Sequence, residues 1–260
     1  MKFTVLGIDA SRSLSPRLHS FVYKLLEIDH SYNFIESSSI DAKLLMKYDG
    51  VNITNPFKRK IIIYLKDIDD ISTRTQSVNC IKKKNDILYG FNTDYYGFYK
   101  SLKINNINLR NRNIAVLGAG GVAASVCAYL QDNKYIFKVI NRTRRNSIIL
   151  KDILKLSDNH IYKTSDKANF DVAINCLSSN IDISEFLKVQ NVDIQNINQI
   201  IDINYNSTIS YAGIKADIID SGLDMLIFQA LKSIEIWIDK DISQIVDYQI
   251  IKNHINKKDR

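Results

Sequence analysis

The chain has only two prolines and three cysteines among 260 residues, and no apolar run near the roughly 20 residues that span a bilayer. The cysteines, Cys80, Cys127 and Cys176, lie far apart, with no pair at the spacing of a metal site or a redox motif. We therefore expect buried thiols in a reducing compartment and no metal site. Because the apolar part of the N-terminus is also too short for a signal peptide, the sequence predicts a cytoplasmic protein without a membrane partner.

The charge pattern gives no sign of a nucleic-acid partner. The formal net charge is +7, but lysines are spread along the chain and do not alternate with aromatic residues as in a strand-binding groove. Hydrophobic residues make up 45% and charged residues 24%, which is typical of a soluble globular protein of one large or two ordinary domains. A positive protein can still attract an acidic small molecule.

The first hundred residues alternate strand and helix patterns, which indicates a parallel α/β sheet. Strands are predicted over 3–8, 32–35 and 50–53, and helices from near Pro16 and around 42–46. Each proline is predicted to start a helix, Ser15 capping the first and Pro56 opening another, because the first turn needs no proline N–H. Residues 78–81 and 87–91 differ, since they flank Lys84-Asn85-Asp86 as a hairpin does, and a helix follows over 95–102.

A second unit is predicted to begin at Asn113. The apolar strand 114–117 leads into a glycine turn, an apolar helix to Leu130 and a strand over 137–140. This succession is the dinucleotide-binding arrangement. Strands over 171–175 and 199–203 continue the sheet, and helices are predicted over 223–238 and from 243 to about 255.

The glycine turn itself, Gly118-Ala119-Gly120-Gly121-Val122-Ala123, fits G-x-G-x-x-G/A. The first glycine permits the turn, the second lets the backbone approach a pyrophosphate, and the small third residue permits close packing. The helix that follows offers N–H groups and a partial positive charge. A tight structural turn is the plainer alternative, but the surrounding strands and helix favour nucleotide binding.

The residues after the second strand of this unit indicate which nucleotide is bound. A protein that binds NAD places an acid there for the ribose hydroxyls, whereas this chain has Asn141-Arg142-Thr143-Arg144-Arg145. Guanidinium groups hold phosphate oxygens bidentately, so the segment predicts NADP rather than NAD. A solvated basic turn is the alternative interpretation.

Two charged residues in the first half are the candidate catalytic pair. Lys58 and Asp94 each follow a predicted strand, where ligands of α/β sheets bind, and a carbonyl reduced by hydride needs a proton on its oxygen. Alone, Lys58 would be a surface lysine and Asp94 a helix cap. The hydroxyl and amide residues nearby favour a site for a polyhydroxylated acid, and we expect these to line it: Ser13, Ser15, Asn52, Thr54 and Asn79.

Several segments together resemble the shikimate dehydrogenase family. They are SRSLSPRLH (11–19), GVNITNPFK (50–58), SVNCI (77–81), GFNTDYYG (90–97), VLGAGGVA (116–123), NRT (141–143), INCLSS (174–179) and GLDMLIFQA (222–230). They occur in the family's order and cover nearly the whole chain. The resemblance implies reversible NADP-dependent reduction of 3-dehydroshikimate to shikimate, a step of aromatic amino-acid and chorismate biosynthesis.

The resemblance also implies roles for particular residues. Lys58 and Asp94 would be catalytic, with Asp94 mainly orienting the ammonium. The implied shikimate contacts are Ser13, Ser15, Thr54, Asn79, Tyr205 and Gln229. The implied cofactor contacts are the turn Gly118–Ala123, Asn141, Arg142, Thr143, Gly222 and Met225.

The chain departs from the family pattern at seven positions, namely Arg12, Asn55, Cys80, Asn180, Ser207, Ser221 and Asp224. The last two lie near the position implied for the nicotinamide, where a carboxylate could disturb cofactor placement. These departures bear on turnover more than on fold.

The sequence thus predicts a two-domain α/β enzyme. Residues 1–101 and 224–260 would form a discontinuous substrate domain, and 102–223 a Rossmann-type NADP-binding domain. We expect a monomer or homodimer with a small-molecule substrate. Two alternatives stay open: a quinate/shikimate dehydrogenase that uses NAD, and a ligand sensor without catalysis, against which the intact Lys58 and Asp94 argue.

Overall fold

The chain forms two compact α/β units in the computed structural model. Unit 1 comprises Met1–Gly97 and Leu226–Arg260, and unit 2 comprises Phe98–Met225. The structure describes residues 1–166, 168–178, 181–193, 195–205, 211 and 213–257. The family departures at Asn180 and Ser207 lie outside the described residues. No helix of the described ranges is both long enough and apolar enough to cross a bilayer.

The strands and helices are numbered in chain order. The strands are β1 Lys2–Gly7, β2 Ser31–Glu36, β3 Gly50–Ile53, β4 Asp67–Ile68, β5 Cys80–Lys84, β6 Ile87–Phe91, β7 Asn113–Leu117, β8 Ile136–Ile140, β9 Val172–Asn175, β10 Gln199–Asp202 and β11 Asp217–Asp220. The helices are α1 Ser15–Leu25, α2 Ala42–Leu45, α3 Asp70–Thr75, α4 Asp94–Ile104, α5 Gly121–Asp132, α6 Arg144–Leu154, α7 Ile183–Val189, α8 Gly222–Ile238 and α9 Tyr248–Asn256.

Unit 1 contains a mixed sheet with the strand order β2-β1-β3-β5-β6-β4. Strand β1 runs parallel to β2 and β3, while β5 runs antiparallel to both β3 and β6. The predicted hairpin is confirmed, with Asn85 and Asp86 at φ 51° and 56°, the left-handed conformation of a two-residue turn. Strand β4 is parallel to β6, so among the described strands of this sheet β5 alone runs in the opposite direction. The prediction of a parallel sheet in this half is therefore confirmed for β1, β2 and β3 and does not hold at β5.

The two prolines lie in different local structures. Pro16 is in the first turn of α1, as predicted. Pro56 does not start a helix: it follows a cis peptide bond within a turn closed by Phe57 N–H donating to Thr54 C=O, and a 3₁₀ helix begins only at Lys60. Ser15 is also not a cap, since it lies inside α1 after Leu14, and its N–H donates to Ser13 Oγ.

The sheet of unit 2 has the order β11-β10-β9-β7-β8 and is parallel throughout. The last four residues of β7 and all of β9 are buried, which explains their continuous apolar sequences. The predicted succession of strand, glycine turn, helix and strand is confirmed as β7, α5 and β8. Strand β11 and helices α6 and α7 were not predicted.

The core of unit 1 includes a layer of aromatic rings. Trp237 of α8 stacks on Phe3 of β1 with ring centroids 4.5 Å apart, and its indole N–H donates to Ile81 C=O at 2.8 Å. A side chain at Gly50 would overlap the indole ring of Trp237, so the first residue of β3 must be a glycine for this packing. The contact joins α8 to the sheet beside β3, which carries part of the candidate site.

Candidate active site

The sheet of unit 1 brings the predicted site segments to one edge. Strands β1, β3 and β6 all point the same way, because β5 is antiparallel to both of its neighbours. The segments that follow β1, β3 and β6 therefore lie at the same edge as the residue that precedes β5. These segments carry Ser13 and Ser15, then Thr54 and Lys58, then Thr93 and Asp94, and finally Asn79.

Lys58 and Asp94 form a buried ion pair. Lys58 Nζ lies 2.6 Å from Asp94 Oδ2, and the two side chains are 9% and 2% exposed. The backbone of Lys58 is held by Val78, whose N–H donates to Lys58 C=O at 2.9 Å. A lysine this buried needs a hydrogen-bonded countercharge, and Asp94 supplies it. The pair brings an ammonium donor and a carboxylate acceptor together at the polar edge of the sheet.

Asn79 fixes the carboxylate of this pair. Its Nδ2 donates to Asp94 Oδ1 and to Gln229 Oε1, each at 2.9 Å, while its Oδ1 accepts from Thr93 N–H at 2.7 Å. One oxygen of Asp94 therefore faces Asn79 and the other faces Lys58. The predicted residues Lys58, Asn79, Asp94 and Gln229 form one hydrogen-bonded group.

The predicted hydroxyl residues lie on two neighbouring segments of unit 1. Ser13 Oγ donates to Ser15 Oγ at 3.0 Å, so these two hydroxyls are adjacent. Thr54 follows β3, is half-buried, and donates its N–H to Leu6 C=O at 3.0 Å. Its methyl group occupies the space that a side chain at Gly7 would need. Thr54 therefore packs beside the end of β1, the strand that leads to Ser13.

Asn52 has a different environment from the other residues expected to line the site. Its Oδ1 accepts from Tyr32 Oη at 2.8 Å, and its Nδ2 donates to Asn79 C=O at 3.1 Å and to Ser233 Oγ at 3.0 Å. Both amide protons are thus used within the protein. Neither Thr93 nor Ser233 was predicted to belong to the site. A hydroxyl residue inside a motif or on a buried helix face does not recur at a spacing that would distinguish it from other serines and threonines.

The glycine turn of unit 2 has the geometry of a phosphate-binding loop. Gly118 has φ +108°, and a side chain there would lie 3.0 Å from Cys176 C=O, so only glycine suits this position. Gly120 caps α5 without a side-chain hydrogen bond, and a Cβ at Gly120 would meet nothing within 4 Å. Ala123 is fully buried. Backbone N–H groups at the start of α5 can therefore be approached closely by an anion.

The basic segment after β8 lies on the surface. Arg142, Arg144 and Arg145 are exposed, and within the described ranges no carboxylate pairs with any of them. Asn141 Nδ2 donates to Thr143 C=O at 2.9 Å, which closes the turn that leads into α6. The three guanidinium groups are thus available to a phosphate. These residues and the glycine turn suit an NADP dinucleotide by their chemistry.

Asp202 at the end of β10 is a buried residue that the sequence did not identify. Its Oδ1 accepts from Asn175 Nδ2 at 3.1 Å and from Asn204 N–H at 2.9 Å, and Tyr211 Oη donates to its Oδ2. Burial and this carboxylate raise the pKa of Tyr211. The network fixes the turn that leads to Tyr205, and the backbone of Asn204 and Tyr205 packs directly on Gly222.

Three of the family departures, Cys80, Ser221 and Asp224, have neighbours inside their own units. Ser221 Oγ donates to Asp202 C=O at 3.1 Å, and the fully buried Asp224 accepts from Asn105 Nδ2 at 2.7 Å. Cys80 is buried beside Ser233 and Trp237, and burial raises the pKa of its thiol to about 12. Cys127 is also buried, as predicted, whereas Cys176 is only partly buried. The side chains of Ser221, just before α8, and of Asp224, in its first turn, therefore each have a hydrogen-bond partner within unit 2.

Comparison with known proteins gives consistent matches over nearly the whole chain. Residues 5–81 match the family model described as the shikimate dehydrogenase substrate binding domain. A shikimate dehydrogenase (NADP(+)) of Clostridium beijerinckii is 31% identical, with 96% of this chain and 98% of the relative covered. One from Pelagibacter ubique is 32% identical, with 90% and 92% covered.

Solved structures agree with these sequence matches. The crystal structure of shikimate dehydrogenase 1 from Peptoclostridium difficile has a TM-score of 0.78 at 31% identity and covers 98% of this chain and 97% of its own. A Thermus thermophilus shikimate 5-dehydrogenase in complex with NADP(H) and shikimate has the same fold, with a TM-score of 0.81 at 22% identity and 99% of each chain covered. The chain therefore belongs to the shikimate dehydrogenase family, as its sequence motifs predicted.

Proposed function

We propose that this protein catalyses the reversible NADP-dependent reduction of 3-dehydroshikimate to shikimate, a step in the biosynthesis of aromatic amino acids. The observation that carries the proposal is the buried pair of Lys58 and Asp94, held at 2.6 Å at the polar edge of unit 1. A structural ion pair would need no such group of hydroxyls and amides around it. Relatives at about 31% identity bear the name of this activity.

The chain is divided between two proposed domains. We assign a substrate domain to residues 1–101 and 224–260, and a dinucleotide-binding domain to residues 102–223. The first assignment is supported by the polar edge of unit 1 and by the family model that matches residues 5–81. The second is supported by the parallel sheet and glycine turn of unit 2.

Lys58 is the proton donor of the reduction. Its ammonium gives a proton to the carbonyl oxygen of the substrate as that oxygen gains negative charge, and the charge of Lys58 stabilises the alkoxide until the proton has moved. In the oxidation direction neutral Lys58 accepts the hydroxyl proton. The change from carbonyl to alcohol is completed by a hydride, which NADPH supplies when it is bound.

Asp94 orients the ammonium. It accepts from Lys58 through one oxygen and from Asn79 through the other, so its carboxylate cannot turn away without breaking both hydrogen bonds. A fixed carboxylate keeps the ammonium protons directed at one position. We propose that Asp94 also accepts a hydrogen bond from a substrate hydroxyl.

The remaining substrate contacts are hydroxyl and amide groups. Shikimate carries a carboxylate and three hydroxyls, and the proposed partners offer matching donors and acceptors. They are Ser13, Ser15, Thr54, Asn79, Tyr205 and Gln229. The proposed cofactor contacts are Gly118, Ala119, Gly120, Gly121, Val122, Ala123, Asn141, Arg142, Thr143, Gly222 and Met225.

A matrix of four assays tests the proposal. Purified full-length protein is mixed with shikimate or quinate and with NADP or NAD, and reduced nicotinamide is followed by absorbance. We expect shikimate with NADP to give the highest kcat/KM. A higher value with quinate and NAD would identify the alternative dehydrogenase, and absence of turnover in all four mixtures would leave only a ligand sensor.

The protein is further proposed to work in the cytoplasm as a monomer or homodimer. Its relatives are named shikimate dehydrogenase (NADP(+)), an activity whose substrate and cofactor are water-soluble small molecules. Light scattering coupled to gel filtration would give the oligomeric state, and a mass above that of a dimer would contradict this proposal.

A further inference from the structure

The hydroxyl of Ser233 lies at a junction of three segments of the candidate active site. Ser233 is fully buried on α8, one helical turn after Gln229. Its Oγ donates to Gln229 C=O at 2.9 Å, accepts from Asn52 Nδ2 at 3.0 Å and lies 3.4 Å from Thr93 Oγ1. A serine hydroxyl has one donor and two acceptor positions. The donor position is used by Gln229 C=O and one acceptor position by Asn52 Nδ2, while Thr93 Oγ1 and the Cys80 thiol lie next to the same oxygen.

Each of the contacts with Gln229, Asn52 and Thr93 leads to Asn79. Asn52 Nδ2 also donates to Asn79 C=O, and Thr93 N–H donates to Asn79 Oδ1. Gln229 accepts from Asn79 Nδ2 through Oε1. The backbone C=O, the Oδ1 and the Nδ2 of Asn79 are therefore each connected to the hydroxyl of Ser233 through one intermediate residue.

We propose that Ser233 is a positioning residue for substrate binding, which holds Asn79 and Gln229 in place without touching the substrate. The inference rests on the proposed function, since it concerns two of the residues assigned to the shikimate site. Without the hydroxyl, one proton of Asn52 Nδ2 would be left without an acceptor in a partly buried position. The amide would then turn toward a new partner, and its hydrogen bond to Asn79 C=O would weaken.

The test compares Ser233→Ala with a matched variant, Ser101→Ala. Ser101 is also a fully buried helical serine, and its Oγ donates to the carbonyl of Phe98 on its own helix at 2.8 Å. Both variants lose a buried hydroxyl, but only Ser233 is connected to Asn79. The measurements are KM for shikimate, KM for NADP, kcat and the melting temperature of the full-length protein.

We expect Ser233→Ala to raise KM for shikimate about two- to tenfold, the range that corresponds to one lost hydrogen bond. KM for NADP should stay within about twofold, and Ser101→Ala should leave both KM values unchanged. A merely structural serine would lower the melting temperature and leave KM for shikimate unchanged, which would overturn the inference. If Ser233→Ala does not fold, Ser233→Cys is measured with the same expectation, because a thiol forms weaker hydrogen bonds.

The unmodified protein is assayed first, so that two kinds of failure are distinguished. Absence of shikimate-dependent NADP reduction in the unmodified protein would overturn the proposed function and this inference with it. Normal activity there, combined with an unchanged KM for shikimate in Ser233→Ala, would overturn the inference alone.

Discussion

At the scale of single residues, Lys58 combines two properties that rarely occur together, a full positive charge and almost complete burial. Asp94 makes this burial possible, and Asn79 in turn holds Asp94. Removing these charged groups from water costs free energy, so a contribution to stability alone does not explain why the ion pair is buried. The proposed role in proton transfer would account for both its burial and its position at the polar edge.

Substitution of Lys58 tests this role directly. We expect Lys58→Ala to lower kcat by about 10²- to 10⁴-fold, the usual contribution of general acid–base catalysis, with KM for shikimate little changed. The matched variant is Lys60→Ala, an exposed lysine two residues away, which should keep normal kinetics. Near-normal kcat in Lys58→Ala would refute the assignment, provided that circular dichroism shows a folded protein.

Substitution of Arg142 tests the choice of cofactor. Arg142→Ala should weaken NADP binding about 10- to 100-fold, the range for charge-assisted hydrogen bonds, and leave NAD binding unchanged because NAD has no 2′-phosphate. Arg110→Ala removes an exposed arginine of the same unit and serves as the control. Equal loss of affinity for both nucleotides would show that Arg142 does not contact the 2′-phosphate.

At the scale of elements, α1 carries a histidine into the aromatic layer of unit 1. His19 is 1% exposed and stacks on Tyr32 of β2, with ring centroids 3.9 Å apart. Burial lowers the pKa of His19 to about 3 from its ordinary value of 6.5. The folded protein therefore holds this ring neutral, whereas the unfolded chain binds a proton below pH 6.5.

This difference predicts a loss of stability in weak acid. The contribution of neutral His19 is complete above pH 6.5 and is lost as pH falls from 6.5 toward 3, because only the unfolded chain takes up the proton there. Between pH 7 and pH 5 it amounts to about 2 kcal/mol. Urea unfolding is measured at pH 7 and pH 5. The decrease in the free energy of unfolding between these pH values should be smaller in His19→Phe than in the unmodified protein, by about that amount.

The control for this experiment is His30→Gln, which removes a half-buried histidine next to the same aromatic layer. It should keep the pH dependence of the unmodified protein. The same pH dependence in His19→Phe as in the unmodified protein would show that His19 is not the group responsible.

At the scale of the whole molecule, a dinucleotide that binds the folded chain must stabilise it. A ligand at 100 times its Kd adds about 2.7 kcal/mol to the free energy of unfolding. We expect NADP to raise the melting temperature of the full-length protein more than NAD does at the same concentration. Arg142→Ala should abolish most of that difference, and an equal shift with both nucleotides in the unmodified protein would contradict the predicted preference.

The sequence determined the α/β class, the hairpin and the nucleotide-binding succession, because periodicity, turn residues and glycine spacing are local properties. It also predicted that Lys58, Asp94 and Asn79 belong to one site, since each lies in a short motif. The 3₁₀ helix after Pro56 and the antiparallel pairing of β5 with the distant strand β3 were not predictable in this way. Local preference allows proline at a helix start as readily as in a turn, and strand direction depends on pairing between distant residues.

Only the tertiary structure decided how the polar residues are connected. Asn52, Thr93 and Ser233 lie far apart in the chain. Asn52 and Thr93 hydrogen-bond to Asn79, and their contacts with Ser233 depend on α8 packing beside β3 and β6. The same is true of Asp202, whose partners come from three separate segments. Amino-acid order specifies which groups are present, whereas the burial that makes a hydrogen-bonding partner obligatory exists only once the chain has folded.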